Sequence, residues 1–193
     1  MNELPPDRLP PVDENDPEIA AAFAELTVSR GRISNALRSM AHAPQALLRF
    51  AAVGDYARYR SSLSPRLREI VIVITGRNVP YAMSHHVPLA LQAGLTQEEV
   101  DELRAGRIPR SFQEKDAAAA GYVLEFLSAQ SVGDAAFEAA RRCMTPREIT
   151  DMAMTSAYYV ALAMIITAMG VTFDSEERMN AELEWQRRQD QAN

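Results

Sequence analysis

The chain has 193 residues, 47% of them hydrophobic, which suffices for one well-packed core. Its formal charge is -6 and its basic residues form no cluster, which excludes a typical nucleic-acid-binding surface. The single cysteine, Cys143, excludes an internal disulfide. No charged-then-apolar leader precedes the first helical pattern, so we expect a cytoplasmic protein.

Proline and acidic residues dominate the first eighteen positions, which contain five prolines. Proline interrupts a regular helix because it lacks the backbone N–H donor. We therefore predict an extended arm over residues 1–18 that contacts a neighbouring subunit. A single all-helical domain is predicted to follow over residues 19–193.

Helix start and stop signals divide the rest of the chain. Two helices broken near Pro44 are predicted between Ile33 and Arg60. Ser64-Pro65 pairs a good N-cap with proline at the first helical position and predicts a helix to Arg77. Capping-box spacing predicts two more helix starts, and the remaining helical patterns cover residues 79–93, 113–129 and 134–142. The two starts are at Thr96 and Thr145, and glycines that suit helix C-caps stand at positions 94, 106 and 170.

The run Ile70 to Ile74 reads Ile-Val-Ile-Val-Ile, whose intrinsic preference is for a β-strand. We nevertheless predict a helix here, because the N-cap at Ser64 precedes the run.

Residues 152–171 carry no formal charge, and such a stretch is long enough to cross a bilayer. Hydroxyl-bearing residues, including Thr155, Ser156 and Tyr158, make the stretch only moderately apolar. We therefore predict a buried or subunit-interface helix and no membrane association.

Residues 63–106 contain the motifs that bear on function. Arg68-Glu69 lies on an apolar helix, Tyr81 and His86 lie on the next, and Ala-Gly-Leu-Thr follows at positions 93–96. This pattern resembles the carboxymuconolactone decarboxylase and alkylhydroperoxidase D superfamily. The resemblance implies an all-α, alkylhydroperoxidase D-like bundle. It also implies homo-oligomers, either trimers or hexamers, with pockets near the subunit contacts.

The chain departs from this family pattern around the histidine. Many members carry an acid four residues before it and often a tryptophan next to that acid, where this chain has Ala82 and Met83. The peroxidase branch has two cysteines at the positions of Val79 and Ala82. Thiolate attack and disulfide resolution need both thiols, so this chain is not a peroxidase of that type.

His86 is the candidate proton-transfer group, because an imidazole titrates near pH ~6.5. Glu69 is its predicted orienting partner, and Tyr81 or His85 is predicted to bind a developing oxyanion. His85 and Arg77 are the predicted substrate-binding residues. These assignments predict cofactor-free acid/base chemistry on a small carbonyl- or carboxylate-bearing molecule such as a lactone.

Three other interpretations remain open at this point. His86 can be a buried core histidine, with Glu69 paired to an arginine, in a non-catalytic oligomeric scaffold or ligand-binding protein. Cys143 can be a reactive redox thiol, because Arg141 and Arg142 precede it and can lower its pKa. A metal site is disfavoured, because zinc sites on helices prefer histidines at i and i+4 over adjacent ones such as His85 and His86.

Overall fold

The computed structural model describes residues 8–192, and these form ten α-helices and no β-strand. The predicted all-α class is therefore confirmed. In chain order the helices are α1 (Pro17–Arg30), α2 (Asn35–Arg38), α3 (Pro44–Tyr59), α4 (Pro65–Gly76), α5 (Pro80–Gln92), α6 (Gln97–Arg104), α7 (Glu114–Ala129), α8 (Asp134–Cys143), α9 (Pro146–Met169) and α10 (Glu176–Ala192).

The first helix begins two residues before the predicted end of the N-terminal arm. Helix α1 begins at Pro17, because the Asp16 carboxylate accepts hydrogen bonds from the backbone N–H groups of Glu18 and Ile19. Proline is tolerated at this first helical position, where its missing N–H costs nothing. Residues 8–16 are non-helical. The rest of the predicted arm, residues 1–7, lies outside the described residues.

The chain divides into two compact units, one comprising Ser61–Ala163 and the other the segments on either side of it. The flanking unit has its own core, to which α1 contributes Phe23 and Leu26 and α3 contributes Leu47 and Ala51. The single domain predicted for residues 19–193 stays a prediction.

Helix α4 is the central helix of the Ser61–Ala163 unit. It packs against α5, α6 and α7, and all five residues of its Ile-Val-Ile-Val-Ile run have 0% exposed surface. The Ser64 Oγ accepts a hydrogen bond from the Leu67 N–H at 3.2 Å, as its N-cap position predicts. The helix predicted here is confirmed, because the cap and burial on every side outweigh the β preference of the run.

Helix α6 is fixed to its neighbours by the carboxylate of Glu99. The predicted capping box is present, with Thr96 and Glu99 each accepting a hydrogen bond from the other's backbone N–H. Arg66 of α4 donates to this carboxylate and to Asp116 of α7. Burial raises the pKa of Glu99, but hydrogen bonds from Thr96, Arg66 and Ser111 outweigh it and hold the pKa below its ordinary value.

Helix α9 begins at the second predicted capping box, formed by Thr145 and Glu148. It has 24 residues and is long and apolar enough to cross a membrane by length and composition alone. Only 33% of its most apolar 18-residue window is buried. Met154 and Met164 are 49% and 68% exposed, so the helix leaves apolar surface uncovered.

Helix α10 is the element that the sequence patterns did not predict. Its start is marked by Ser175, whose Oγ accepts a hydrogen bond from the Arg178 N–H at 3.3 Å. The helix packs through buried polar groups: Arg58 of α3 forms an ion pair with Glu182 and donates to the side chain of Gln186 at 2.9 Å.

Candidate functional site

The site is built on α4 and α5, which approach each other closely near Gly76. A Cβ atom at Gly76 would lie 3.0 Å from the Cβ of Ala82 and 3.2 Å from the Cε of Met83. Such distances are tighter than ordinary contacts, so glycine on α4 and a small residue on α5 permit the approach. Side chains of α4 and α5 are therefore close enough to form hydrogen bonds with each other.

Glu69 of α4 and His86 of α5 meet in the interior. The His86 Nδ1 lies 2.9 Å from the Glu69 Oε2. Glu69 has 0% exposed surface and His86 has 6%. A carboxylate accepts hydrogen bonds, so the proton of a neutral imidazole resides on Nδ1 and the lone pair on Nε2. In this arrangement Nε2 is the atom able to take up a proton.

This contact explains how the chain accommodates Ala82. An acid one helical turn before the histidine would lie on the same face of α5. Here α5 has no such acid, and a carboxylate of α4 lies beside His86. The structure thus brings together two of the three residues predicted to be catalytic, and their roles stay predictions.

Arg68 provides a positive charge beside Glu69. Its Nε lies 3.3 Å from the Glu69 Oε1, and the residue is only 4% exposed. A buried carboxylate without a cation is costly because burial removes its hydration. The guanidinium compensates this charge, while the other carboxylate oxygen faces His86.

Tyr159 of α9 completes one side of the site. Its ring meets the His86 ring edge-on, with centroids 5.2 Å apart and planes at 89°. Tyr158 packs on Tyr159 in the same way, also at 5.2 Å. The sequence predicted only a buried or subunit-interface helix over residues 152–171, and the contact with His86 was missed. The available signal was the polar series Asp151, Thr155 and Tyr159, spaced one helical turn apart.

The other predicted site residues occupy two different places. Tyr81 and His85 lie one turn apart on α5, with ring centroids 4.7 Å apart, and both are buried. Arg77 follows the end of α4, where its Nη1 donates to the Ile74 carbonyl at 3.1 Å. Their roles in binding an oxyanion or substrate stay predictions.

The surroundings of Cys143 do not activate the thiol. Burial raises the pKa of Cys143, and the nearby carboxylate of Glu114 raises it further. Arg142 acts in the opposite direction but is outweighed. The lowering expected from a preceding arginine is therefore present, but the net pKa of Cys143 is raised. The cause is the half-buried position of the side chain at the end of α8.

The segment that carries the site resembles one known protein family. Residues 44–125, which include Glu69 and His86, match the model of the carboxymuconolactone decarboxylase family. The predicted family resemblance is confirmed. A search of curated proteins gave no match.

Solved structures show the same fold. An uncharacterized peroxidase-related protein from Ralstonia eutropha JMP134, described as an alkylhydroperoxidase AhpD core, has a TM-score of 0.74 at 20% identity, covering 89% of this chain and 94% of its own. A peroxidase-related protein from a Silicibacter species has a TM-score of 0.73 at 17% identity, covering 91% and 96%. A cysteine-to-alanine variant of the debrominase Bmp8, in complex with 2,3,4-tribromopyrrole, has a TM-score of 0.70 at 16% identity, covering 92% and 98%. At these identities the likeness concerns the fold alone.

Proposed function

We propose that the protein is a cofactor-free acid/base enzyme acting on a small carbonyl- or carboxylate-bearing molecule such as a lactone. The observation that carries the proposal is the hydrogen bond between the His86 Nδ1 and the Glu69 Oε2 in a buried environment. It holds the imidazole in the tautomer whose Nε2 can accept a proton. The match to a family named for a decarboxylase supports the class of substrate.

The residues suggest the following sequence of steps. The His86 Nε2 removes a proton from a carbon next to a carbonyl, and the electron pair moves onto the carbonyl oxygen as an enolate. The Glu69 carboxylate stabilises the imidazolium, while Tyr81 or His85 donates a hydrogen bond to the oxyanion. Where the substrate has a double bond conjugated with this enolate, the imidazolium returns the proton to the far carbon of the dienolate, which completes an isomerisation. In the decarboxylation of a β-keto acid the imidazole first takes a proton from solvent. The C–C bond to the carboxylate then breaks, CO2 leaves, the bonding electron pair forms an enolate, and the imidazolium protonates its α-carbon.

Thiol chemistry has less support in this chain. Val79 and Ala82 occupy the positions where the peroxidase branch carries cysteines, and burial raises the pKa of the remaining thiol, Cys143. A thiolate is the reactive form of cysteine, so a raised pKa lowers its reactivity at neutral pH. Acid/base chemistry at His86 needs no thiol.

A non-catalytic scaffold or ligand-binding protein is the second candidate. The observation that favours it is burial: His86 retains only 6% of its surface and Glu69 none. With so little exposed surface, His86 can meet a substrate only if side chains around it move. A purely structural pair would need no such movement.

We further propose that the protein is a cytoplasmic homo-oligomer, either a trimer or a hexamer. The exposed apolar side chains of α9, among them Met154 and Met164, support this proposal because a subunit contact would remove them from water. Light scattering of the purified protein would give its mass. A monomer at micromolar concentration would contradict the proposal.

The acid/base proposal is tested by proton exchange, which reports proton transfer even without net turnover. Carboxymuconolactone, simple γ-lactones and β-keto acids are incubated with the protein in D2O, and deuterium uptake beside the carbonyl is followed by NMR. We expect His86→Asn to slow this exchange by about 100-fold or more. The matched control is His42→Asn, which replaces an exposed histidine outside the Ser61–Ala163 unit and should leave the rate unchanged. No exchange above background with the wild-type protein, or equal rates in His86→Asn, would favour the scaffold.

A further inference from the structure

Thr155 of α9 carries a buried hydroxyl that takes no part in the contacts among Glu69, His86 and Tyr159. The residue has 0% exposed surface, and its Oγ1 has no hydrogen-bond partner among the described residues. Buried hydroxyls in proteins are nearly always hydrogen-bonded, so an exception requires an explanation.

Other hydroxyl side chains of α4 and α9 donate hydrogen bonds to carbonyl groups of their own helix. Thr75, Thr150 and Ser156 each donate to the carbonyl of the residue four positions earlier, at 2.8 to 3.0 Å. Such a bond is the default for threonine or serine inside a helix. Thr155 does not make it, so its hydroxyl remains available to a group outside its own helix.

The position of Thr155 on α9 indicates which surroundings this hydroxyl shares. Residues four apart lie on the same helix face, so Thr155 lies between Asp151 and Tyr159. Asp151 accepts two hydrogen bonds from Ser62, just before α4, each at 2.7 Å. Tyr159 contacts the ring of His86 on α5. The face of α9 that holds Thr155 is therefore the face directed at α4 and α5.

We infer that the Thr155 hydroxyl belongs to the substrate site and donates a hydrogen bond to a carbonyl or carboxylate oxygen of a molecule bound against His86 and Tyr159. This inference rests on the proposed function and adds a binding residue to it. An oxygen acceptor fits, because the hydroxyl can donate its proton whereas a hydrocarbon would leave it unsatisfied.

The spacing also limits the size of the ligand. One helical turn separates Thr155 from Tyr159, which corresponds to about 6 Å along the helix axis. A molecule that contacts both the Thr155 hydroxyl and the Tyr159 ring therefore spans about 6 Å. Short keto acids and small lactones with a side carboxylate have this length.

The test compares three proteins: the wild type, Thr155→Val and Thr155→Ser. Valine keeps the shape of threonine but removes the hydroxyl, while serine keeps the hydroxyl and removes the methyl group. The probe is levulinate, a five-carbon keto acid that does not readily lose CO2. Its Kd is measured by titration calorimetry, and the urea midpoint of each variant is measured in the same buffer.

We expect Thr155→Val to weaken levulinate binding by about tenfold, the typical effect of one lost hydrogen bond. The same variant should unfold at the wild-type urea concentration or above, because it no longer buries an unsatisfied hydroxyl. Thr155→Ser should bind levulinate within about threefold of the wild type even where its stability falls, since the donor remains.

The inference is overturned if the wild type does not bind levulinate, or if Thr155→Val binds it as tightly as the wild type. These outcomes can be distinguished from a failure of the acid/base proposal. If His86→Asn abolishes proton exchange while Thr155→Val leaves binding unchanged, the enzyme proposal stands and this inference fails. If Thr155→Val loses binding while His86→Asn has no effect, the site binds ligands without performing the proposed chemistry.

Discussion

Replacing Glu69 by glutamine tests the buried polar pair without a substrate. The substitution preserves the size of the side chain but removes its charge. It leaves the Arg68 guanidinium, 4% exposed, without the carboxylate that lies 3.3 Å from its Nε. It also replaces the carboxylate oxygen 2.9 Å from the His86 Nδ1 with a group that is uncharged.

The expected loss of stability follows from these contacts. Removing one partner of a buried ion pair costs about 3 to 5 kcal/mol, because the remaining charge loses a compensating partner and stays out of water. An amide oxygen can still accept a hydrogen bond from His86 and recovers part of this cost. We therefore expect Glu69→Gln to lower the free energy of unfolding by about 3 kcal/mol.

Urea unfolding followed by circular dichroism at pH 7.5 provides the measurement. The matched control is Glu138→Gln, which removes a charge from an exposed ion pair. Its partner Arg141 lies on the same helix, as Arg68 does for Glu69, and the Arg141 Nε is 3.0 Å from the Glu138 Oε2. Exposed pairs of this kind contribute about 0 to 1 kcal/mol, so the control should change stability by less than that. If the two variants lose the same amount, the buried charges around Glu69 do not stabilise the fold as argued.

Three further predictions concern other parts of the Ser61–Ala163 unit. The pKa of Glu99 lies below its ordinary value of 4.5, so its ionised form stabilises the fold above that pH, and the stability is lost as the pH falls through the lowered pKa. The Tm of the wild type should therefore fall more steeply below pH 4.5 than that of Glu99→Gln. Gly76→Ala should destabilise by about 1 to 3 kcal/mol through overpacking, whereas Gly121→Ala, whose Cβ would meet only Ile108 at 3.6 Å, should gain about 0.5 to 1 kcal/mol from helix propensity. Cys143 should react with a disulfide reagent at pH 7.5 at least about tenfold more slowly in the folded protein than in urea.

Each of these predictions has a result that would contradict it. Parallel Tm curves for the wild type and Glu99→Gln would mean that the carboxylate is not held in its ionised form. Equal urea midpoints for the two glycine variants would mean that α4 and α5 are less tightly packed than described. Fast modification of Cys143 in the native protein would restore the redox interpretation.

The helices could be predicted wherever their signals are local. Ser64, Thr96 and Thr145 each mark a helix start within four residues, and the structure has a cap at each of them. Helix α10 was missed because it is polar on most sides, so no apolar periodicity distinguishes it from a loop.

The sequence predicted only those site residues that lie together in one motif. The segment that carries Glu69 and His86 also carries the family pattern, so their proximity could be proposed from the sequence. The contact between His86 and Tyr159 joins residues from distant parts of the chain. The spacing of Asp151, Thr155 and Tyr159 marks a shared helix face but does not say which element that face contacts. The same holds for the position of Thr155.

The close approach of Gly76 to Ala82 limits which side chains position 82 can hold. A carboxylate side chain at position 82 would have to extend from a Cβ that already faces the backbone of α4. Restoring the family's acid in this chain is therefore not a single change, because the helices would have to separate and the Glu69 to His86 contact would lengthen with them.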